Sequence, residues 1–149
     1  MKSTVLCYIE NDNKYLMLYR NKKNNDLNKG KWLGIGGHIE ENETPEAALL
    51  REVKEETGLT LLEYKRRGYI KFINDDYEEE MFLFTASKYE GKLIDCLEGE
   101  LHFIDKEEIF NLNLWEGDIY FLKPLINGEE YFSIELLYSL DKLISYKKY

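Results

Sequence analysis

The chain is poor in the residues that organise cross-linked or zinc-bound proteins, with two cysteines, two histidines and two prolines among 149 residues. Cys7 and Cys96 lie far apart and match no metal-ligand spacing, so they read as ordinary reduced thiols. His38 and His102 are too isolated to build a zinc site. Basic residues are also in deficit, 20 against 29 acids, and the formal charge of −9 disfavours nonspecific binding to nucleic acid or to an anionic membrane. Small anionic substrates stay open, because a metal ion and a few local Lys or Arg side chains reverse the field within one cleft. No apolar run approaches the roughly 18 residues of a spanning helix. The start, MKSTVLCYIEND, lacks the apolar core and cleavage pattern of a signal peptide, which makes a cytoplasmic location the default expectation. Internal repeats and low-complexity segments are missing too. What is present, 44% hydrophobic residues over this length, fits one globular domain spanning 1–149.

Apolar and β-branched runs at Thr4 to Ile9 and Tyr15 to Tyr19, split by Asn11-Asp12-Asn13, predict a hairpin. Both runs are apolar on both faces, so they belong in a sheet covered on two sides, in an α/β or α+β fold. RNKKNNDLNKGK, residues 20 to 31, sets five basic groups against the single acid Asp26 and reads as a loop, either a basic rim that attracts phosphates or a solvated connection. WLGIGG, Trp32 to Gly37, reads as a short strand whose glycines permit close backbone approach. Leu61 to Ile73 is strand-like with a break near Arg66-Arg67-Gly68, and the turn at Asn74-Asp75-Asp76 leads into Tyr77 to Ser87. Tyr69, Phe72, Phe82 and Phe84 are core aromatics, one of which could line a base pocket. A polar connection over 88 to 100 ends in Glu98-Gly99-Glu100, where glycine suggests a bend, before a strand at Leu101 to Ile104 and a short helix from Asp105. Trp115-Glu116-Gly117-Asp118 opens a helix through Leu122 with Pro124 disturbing its end. Tyr131 to Tyr138 alternates as a strand, and Leu140 to Tyr149 reads as a last helix.

The informative stretch is GHIEENETPEAALLREVKEETGL, Gly37 to Leu59. Thr44 is an N-cap, Pro45 suits the first helical position, and Gly58 suits a left-handed C-cap, which bounds a helix over 45–57. Leu49, Leu50 and Val53 form its apolar stripe, while Glu52, Glu55 and Glu56 gather on a second face. Like charges three and four residues apart repel, and a hard divalent cation, Mg²⁺ or Mn²⁺, removes that repulsion and bridges to substrate phosphates. A solvated acidic face is the plain alternative.

Gly37, Glu43, Arg51, Glu52, Glu55, Glu56 and Gly58, followed by Leu59, stand at the spacing of the Nudix box, and the segment resembles the Nudix hydrolase family at every defining position. The resemblance implies an αβα sandwich with a mixed β-sheet and a Mg²⁺-dependent hydrolysis of a phosphoanhydride. Glu52, Glu55 and Glu56 would bind metal, with the main-chain oxygen of Gly37 as a further ligand and Glu55 or Glu56 as base. Glu43 and Arg51 would hold those ligands in place. A carboxylate from outside the box is expected at Glu98, with Glu100 as its alternative. WLGIGGHIE and LWEGDIYFLKPLI are similar to the branch of the family that removes oxidised purine nucleoside triphosphates. In that branch a tryptophan stacks on the base and nearby acids bind its edge, which assigns Trp115 and Asp118 here. His38 would contact phosphate or remain an exposed loop side chain. Two positions depart from that branch, Gly117 where an acid stands and Leu33 where an asparagine stands, both of which bear on base recognition. The expected substrate is a purine nucleoside triphosphate such as 8-oxo-dGTP, cut to the monophosphate and pyrophosphate. ADP-ribose or another dinucleotide, and a nucleotide-sensing module without turnover, are the alternatives.

Overall fold

Residues 4 to 9 are buried without exception, and this decides the architecture. In the computed structural model, which describes residues 1–149, they belong to β1 (Lys2–Asn11), a strand inside a nine-stranded mixed sheet. The other elements are β2 (Lys14–Arg20), β3 (Trp32–Leu33), β4 (Ile35–His38), α1 (Pro45–Thr57), β5 (Thr60–Asn74), β6 (Tyr77–Glu90), β7 (Gly99–Asp105), a 3-10 helix (Lys106–Asn111), α2 (Ile119–Ile126), β8 (Phe132–Ser139) and β9 (Lys142–Lys148). Successive side chains of a strand point to opposite faces, so Val5, Cys7 and Ile9 pack towards α1, with Ala48, Leu49 and Val53. Leu6 and Tyr8 pack on the other side, with Phe121, Leu122 and Leu125 of α2. The result is the expected αβα sandwich, with two helices of unequal length on its two faces.

β1 runs parallel to β6 from Lys2↔Glu79 to Ile9↔Ala86, and β5 bridges β6 (antiparallel) and β8 (parallel). On its other edge β1 meets β2 only at Glu10↔Tyr15 and Asn11↔Lys14. Beyond that hairpin the two strands part. β4 takes over the edge of β1 and β3 takes over the edge of β2. A cleft of about 870 Å³ has residues of all four strands in its lining.

Several sequence expectations are corrected. WLGIGG is two strands, because Gly34 separates a piece that pairs with β2 from a piece that pairs with β1. β5 runs unbroken through Arg66-Arg67-Gly68, where the irregularity is a bulge in its register against β6. Gly99 is no bend: it lies in β7 opposite Arg20, where a Cβ would sit 1.8 Å from the Tyr19 carbonyl oxygen, and the chain bends at residues 97 and 98 instead. The helix near Trp115 begins only at Ile119 and continues through Pro124 to Ile126. Leu140 to Tyr149 is not a helix. Leu140 and Asp141 both take positive φ, 50° and 67°, forming a tight hairpin turn that returns the chain as β9 along β8. Tyr146 of that strand stacks on Tyr120 with ring centroids 3.8 Å apart.

Candidate active site

Helix α1 forms where its signals predict: Thr44 Oγ1 accepts from the Ala47 N–H, Pro45 is the first residue, and Gly58 closes the last turn at φ 81°. Ala48, Leu49, Val53 and Thr57 make its buried face; Leu50, assigned to that stripe, is instead exposed. The reason is angular: Leu50 lies about 100° round from Leu49, away from the row that Leu49, Val53 and Thr57 share. With that row against the sheet, Glu52 and Glu56 are left half-buried along the cleft, whereas the Glu55 side chain is 59% exposed at its rim.

Arg51 ties the loop before α1 to the helix. Its Nε and Nη2 donate to the two oxygens of Glu43 at 2.8 and 2.9 Å, Nη1 donates to Glu52 at 2.8 Å, and Nη2 also donates to the His38 carbonyl at 2.9 Å. Glu55 is a weaker partner at 3.4 Å. The paired fork with Glu43 is the stronger geometry, and the guanidinium holds the Glu43 carboxyl down to about 2. Glu52 is pushed the opposite way, up, because burial outweighs Arg51 beside it. Under Glu52, the Gly37 backbone leaves no room for a side chain: a Cβ there would lie 2.4 Å from the Glu52 carboxyl carbon.

Glu98 reaches the same region from the bend before β7. Glu56 Oε2 and Glu98 Oε2 are both buried without a hydrogen-bond partner. Burial first, and then the charge of Glu98, drive the proton affinity of Glu56 well up. Arg20 Nη1 and Lys23 Nζ approach Glu98 at 3.4 and 3.3 Å. Glu100, the alternative to Glu98, is turned to the exterior, where Asn21 and His102 hold it. No three of these acids are drawn into a ready ligand cluster. The donor set fits a hard divalent cation: it is all oxygen, it has an excess of negative charge, and a buried oxygen of Glu56 lacks a partner. The residues that would hold the ion are Glu52, Glu56 and Glu98, with Glu55 at the rim and the Gly37 carbonyl nearby.

Aromatic side chains also line the cleft. Trp115, only 7% exposed, packs edge-on against Phe72 and Tyr138 at 5.7 and 5.5 Å between ring centroids, and its indole N–H donates to Asn28 Oδ1 at 2.8 Å. Lys31 Nζ lies 5.4 Å from the centroid of the same ring. Phe72 is thus the member of the aromatic set that reaches the cleft; Leu33 and Met81 also line it. His38 stands exposed at the rim. Among the lining residues that sequence reasoning did not single out are Arg20, Asn28, Glu79 and Tyr77. Only Asp26, as the lone acid in a basic loop, carried a local signal.

Asp118, 7% exposed, is pushed up to about 8 by burial, against the opposing influence of Lys31 and a backbone group of Trp115. The folded protein therefore binds this proton more tightly than the unfolded chain, and stability falls as pH rises from the ordinary carboxylate range towards 8. Asp118→Asn should flatten that part of the profile, as measured by urea unfolding at pH 5, 6.5 and 8; an unchanged slope would mean that Asp118 is ionised in its pocket.

Comparison with known proteins matches this arrangement to one family. The NUDIX domain family model matches residues 1–124. The uncharacterised Nudix hydrolase YvcI of Bacillus subtilis is 29% identical over 148 residues, 95% of this chain and 90% of that one. The oxidised purine nucleoside triphosphate hydrolase of Danio rerio is 28% identical over 127 residues, 84% of this chain and 81% of its own. Among solved structures, the mutator MutT protein of Bacillus halodurans superposes with a TM-score of 0.90 at 25% identity, covering 99% of this chain and 97% of that one. No helix is long and apolar enough to cross a membrane. With the box residues gathered on α1 and β4 and the family's domain spanning most of the sequence, the chain belongs to the Nudix hydrolases.

Proposed function

We propose that the protein hydrolyses purine nucleoside triphosphates, oxidised purines included, to the monophosphate and pyrophosphate. One observation carries this reading: a single cleft is lined both by Glu52, Glu56 and Glu98 and by the buried pair Trp115 and Asp118. A triphosphate would lie along the acids and its base against the aromatic side chains. The Danio rerio relative, an oxidised purine nucleoside triphosphate hydrolase, supports the same substrate class.

A divalent cation, when bound among the acids, supplies charge to the phosphoryl oxygens and makes water a better nucleophile at neutral pH. The protein's own groups do the rest. Arg51 fixes Glu52. Glu56 or Glu55, both on the cleft, takes the proton of the attacking water. Arg20 and Lys23 offset the charge of Glu98 and line the cleft where phosphates would enter.

At the base end the departure at residue 117 has a steric cause. A Cβ on Gly117 would lie 2.8 Å from the Tyr138 hydroxyl, which already accepts the Gly117 N–H at 2.6 Å. Asp118 is thus left to read the base edge alone, and Leu33 adds no hydrogen bond. A neutral Asp118 both donates and accepts, a pattern that suits a purine edge. Discrimination rests on hydrogen bonds that a wrong base leaves unpaired, so a single buried acid supports a moderate preference. The test is kcat/KM with Mg²⁺ across 8-oxo-dGTP, 2-hydroxy-dATP, the ordinary triphosphates, ADP-ribose and NADH. Purine triphosphates should lead, and Asp118→Ala should narrow the preference among them. A clear lead for ADP-ribose or NADH would overturn the assignment.

A further inference from the structure

The catalytic and base-binding ends of the cleft are joined by a chain of polar contacts through the loop between β2 and β3. Glu98 Oε2 lies 3.4 Å from Arg20 Nη1, and Arg20 Nε donates to Asp26 Oδ2 at 2.7 Å. The other oxygen, Asp26 Oδ1, accepts the Asn28 N–H at 3.0 Å, and Asn28 Oδ1 in turn accepts the Trp115 indole N–H at 2.8 Å. Asp26 is the hinge of this series. Its side chain is only 7% exposed and each oxygen serves a different end of the site.

We infer that Asp26 is a positioning residue that holds Glu98 through Arg20 and Trp115 through Asn28, so that the outside carboxylate and the base wall are set by one buried side chain. An Arg–Asp contact at this depth is little screened, and groups joined in one series of hydrogen bonds and ion pairs respond together when one is removed. The loop is also anchored on its far side, where Asn113 donates to the Gly30 carbonyl at 2.7 Å and accepts the Trp32 N–H through its own carbonyl at 3.0 Å. That anchor leaves the loop in place when Asp26 is altered, so the loss should be local.

The inference rests on the proposed function for the roles of Glu98 and Trp115, and its test separates the two. Asp26→Asn keeps an acceptor for Asn28 and gives up the charge facing Arg20. With the nucleotide that the wild type hydrolyses best, Asp26→Ala should lower kcat about tenfold and raise KM about as much. Asp26→Asn should return KM to within about twofold of wild type and leave kcat low. In a Glu98→Gln background Asp26→Ala should no longer change kcat. A substrate-free arm uses the indole ¹⁵N–¹H signals of the two tryptophans, assigned with Trp32→Phe. Glu98→Gln should shift the Trp115 signal in the wild-type background and not when Asp26 is alanine or asparagine. A Trp115 signal that ignores Glu98→Gln, or that moves equally without Asp26, would overturn the relay even if triphosphates are hydrolysed as proposed. If the substrate assignment fails instead, the spectroscopic arm still decides the relay.

Discussion

Glu56→Gln is expected to lower kcat by about 10² to 10⁴ while making the metal-free protein more stable. The activity is lost because a candidate acceptor of the water's proton becomes an amide. The gain in stability has a different origin. Half-buried Glu56 lies beside Glu98 with a buried oxygen that no donor satisfies, and its proton affinity in the fold is well above the ordinary carboxylate range. A carboxyl shifted in that direction costs stability once pH exceeds its unfolded value, so at neutral pH a neutral isostere relieves the fold. For a chain of this length each kcal/mol recovered appears as about 2–4 °C in Tm. Mg²⁺ without nucleotide should reverse the order, raising the Tm of the wild type more than that of the variant, since a ligand stabilises whichever form binds it better. A metal-free variant that melts below the wild type would show that Glu56 has a stabilising partner and would remove this account of the site.

Gly37→Ala should abolish most activity and leave the fold intact. Its φ is not in the left-handed region, so the backbone accepts alanine; the conflict is with Glu52, whose carboxyl atoms would lie 2.4 to 2.6 Å from the new methyl group. Those atoms are the far end of a flexible side chain, and they yield by swinging out of the cleft. A misplacement of about 1 Å at such a site costs on the order of 10² in rate. The neighbouring Gly36→Ala is the contrast, because its methyl would sit 1.8 Å from the Val5 carbonyl oxygen, in the pairing of β4 with β1. Thermal melts and kcat together distinguish the two: Gly37→Ala melts near the wild type and is nearly inactive, whereas Gly36→Ala folds poorly. Full activity in Gly37→Ala would show that Glu52 has no fixed place in the reaction.

These contrasts also mark what the sequence could and could not reveal. Helix α1 was legible to the residue because its cap, its first-position proline and its αL glycine are local signals, and the box acids follow at fixed spacing. The outside carboxylate was narrowed to two candidates. Choosing Glu98 over Glu100 required the fold, in which Glu98 sits in the bend before β7 beside Arg20 and Glu56 while Glu100, inside β7, is held by Asn21 and His102. β9 was misread because Leu140-Asp141 is an uncommon pair for a tight hairpin turn, and the leucine and lysines around it favour helix in isolation. The series of contacts through Asp26 is beyond the reach of sequence, since it joins residues 20, 26, 28, 98 and 115 by hydrogen bonds and an ion pair that no periodicity encodes.

The acids of this cleft are expected to direct cleavage between the α- and β-phosphates of a purine nucleoside triphosphate. The most direct measurement is ³¹P NMR of the products formed from 8-oxo-dGTP and from dGTP with Mg²⁺ and the wild-type protein, with Glu56→Gln as the matched control. The predicted result is growth of a nucleoside monophosphate signal in step with pyrophosphate, absent in the variant. Orthophosphate accumulating with a nucleoside diphosphate, or turnover that survives in Glu56→Gln, would contradict it.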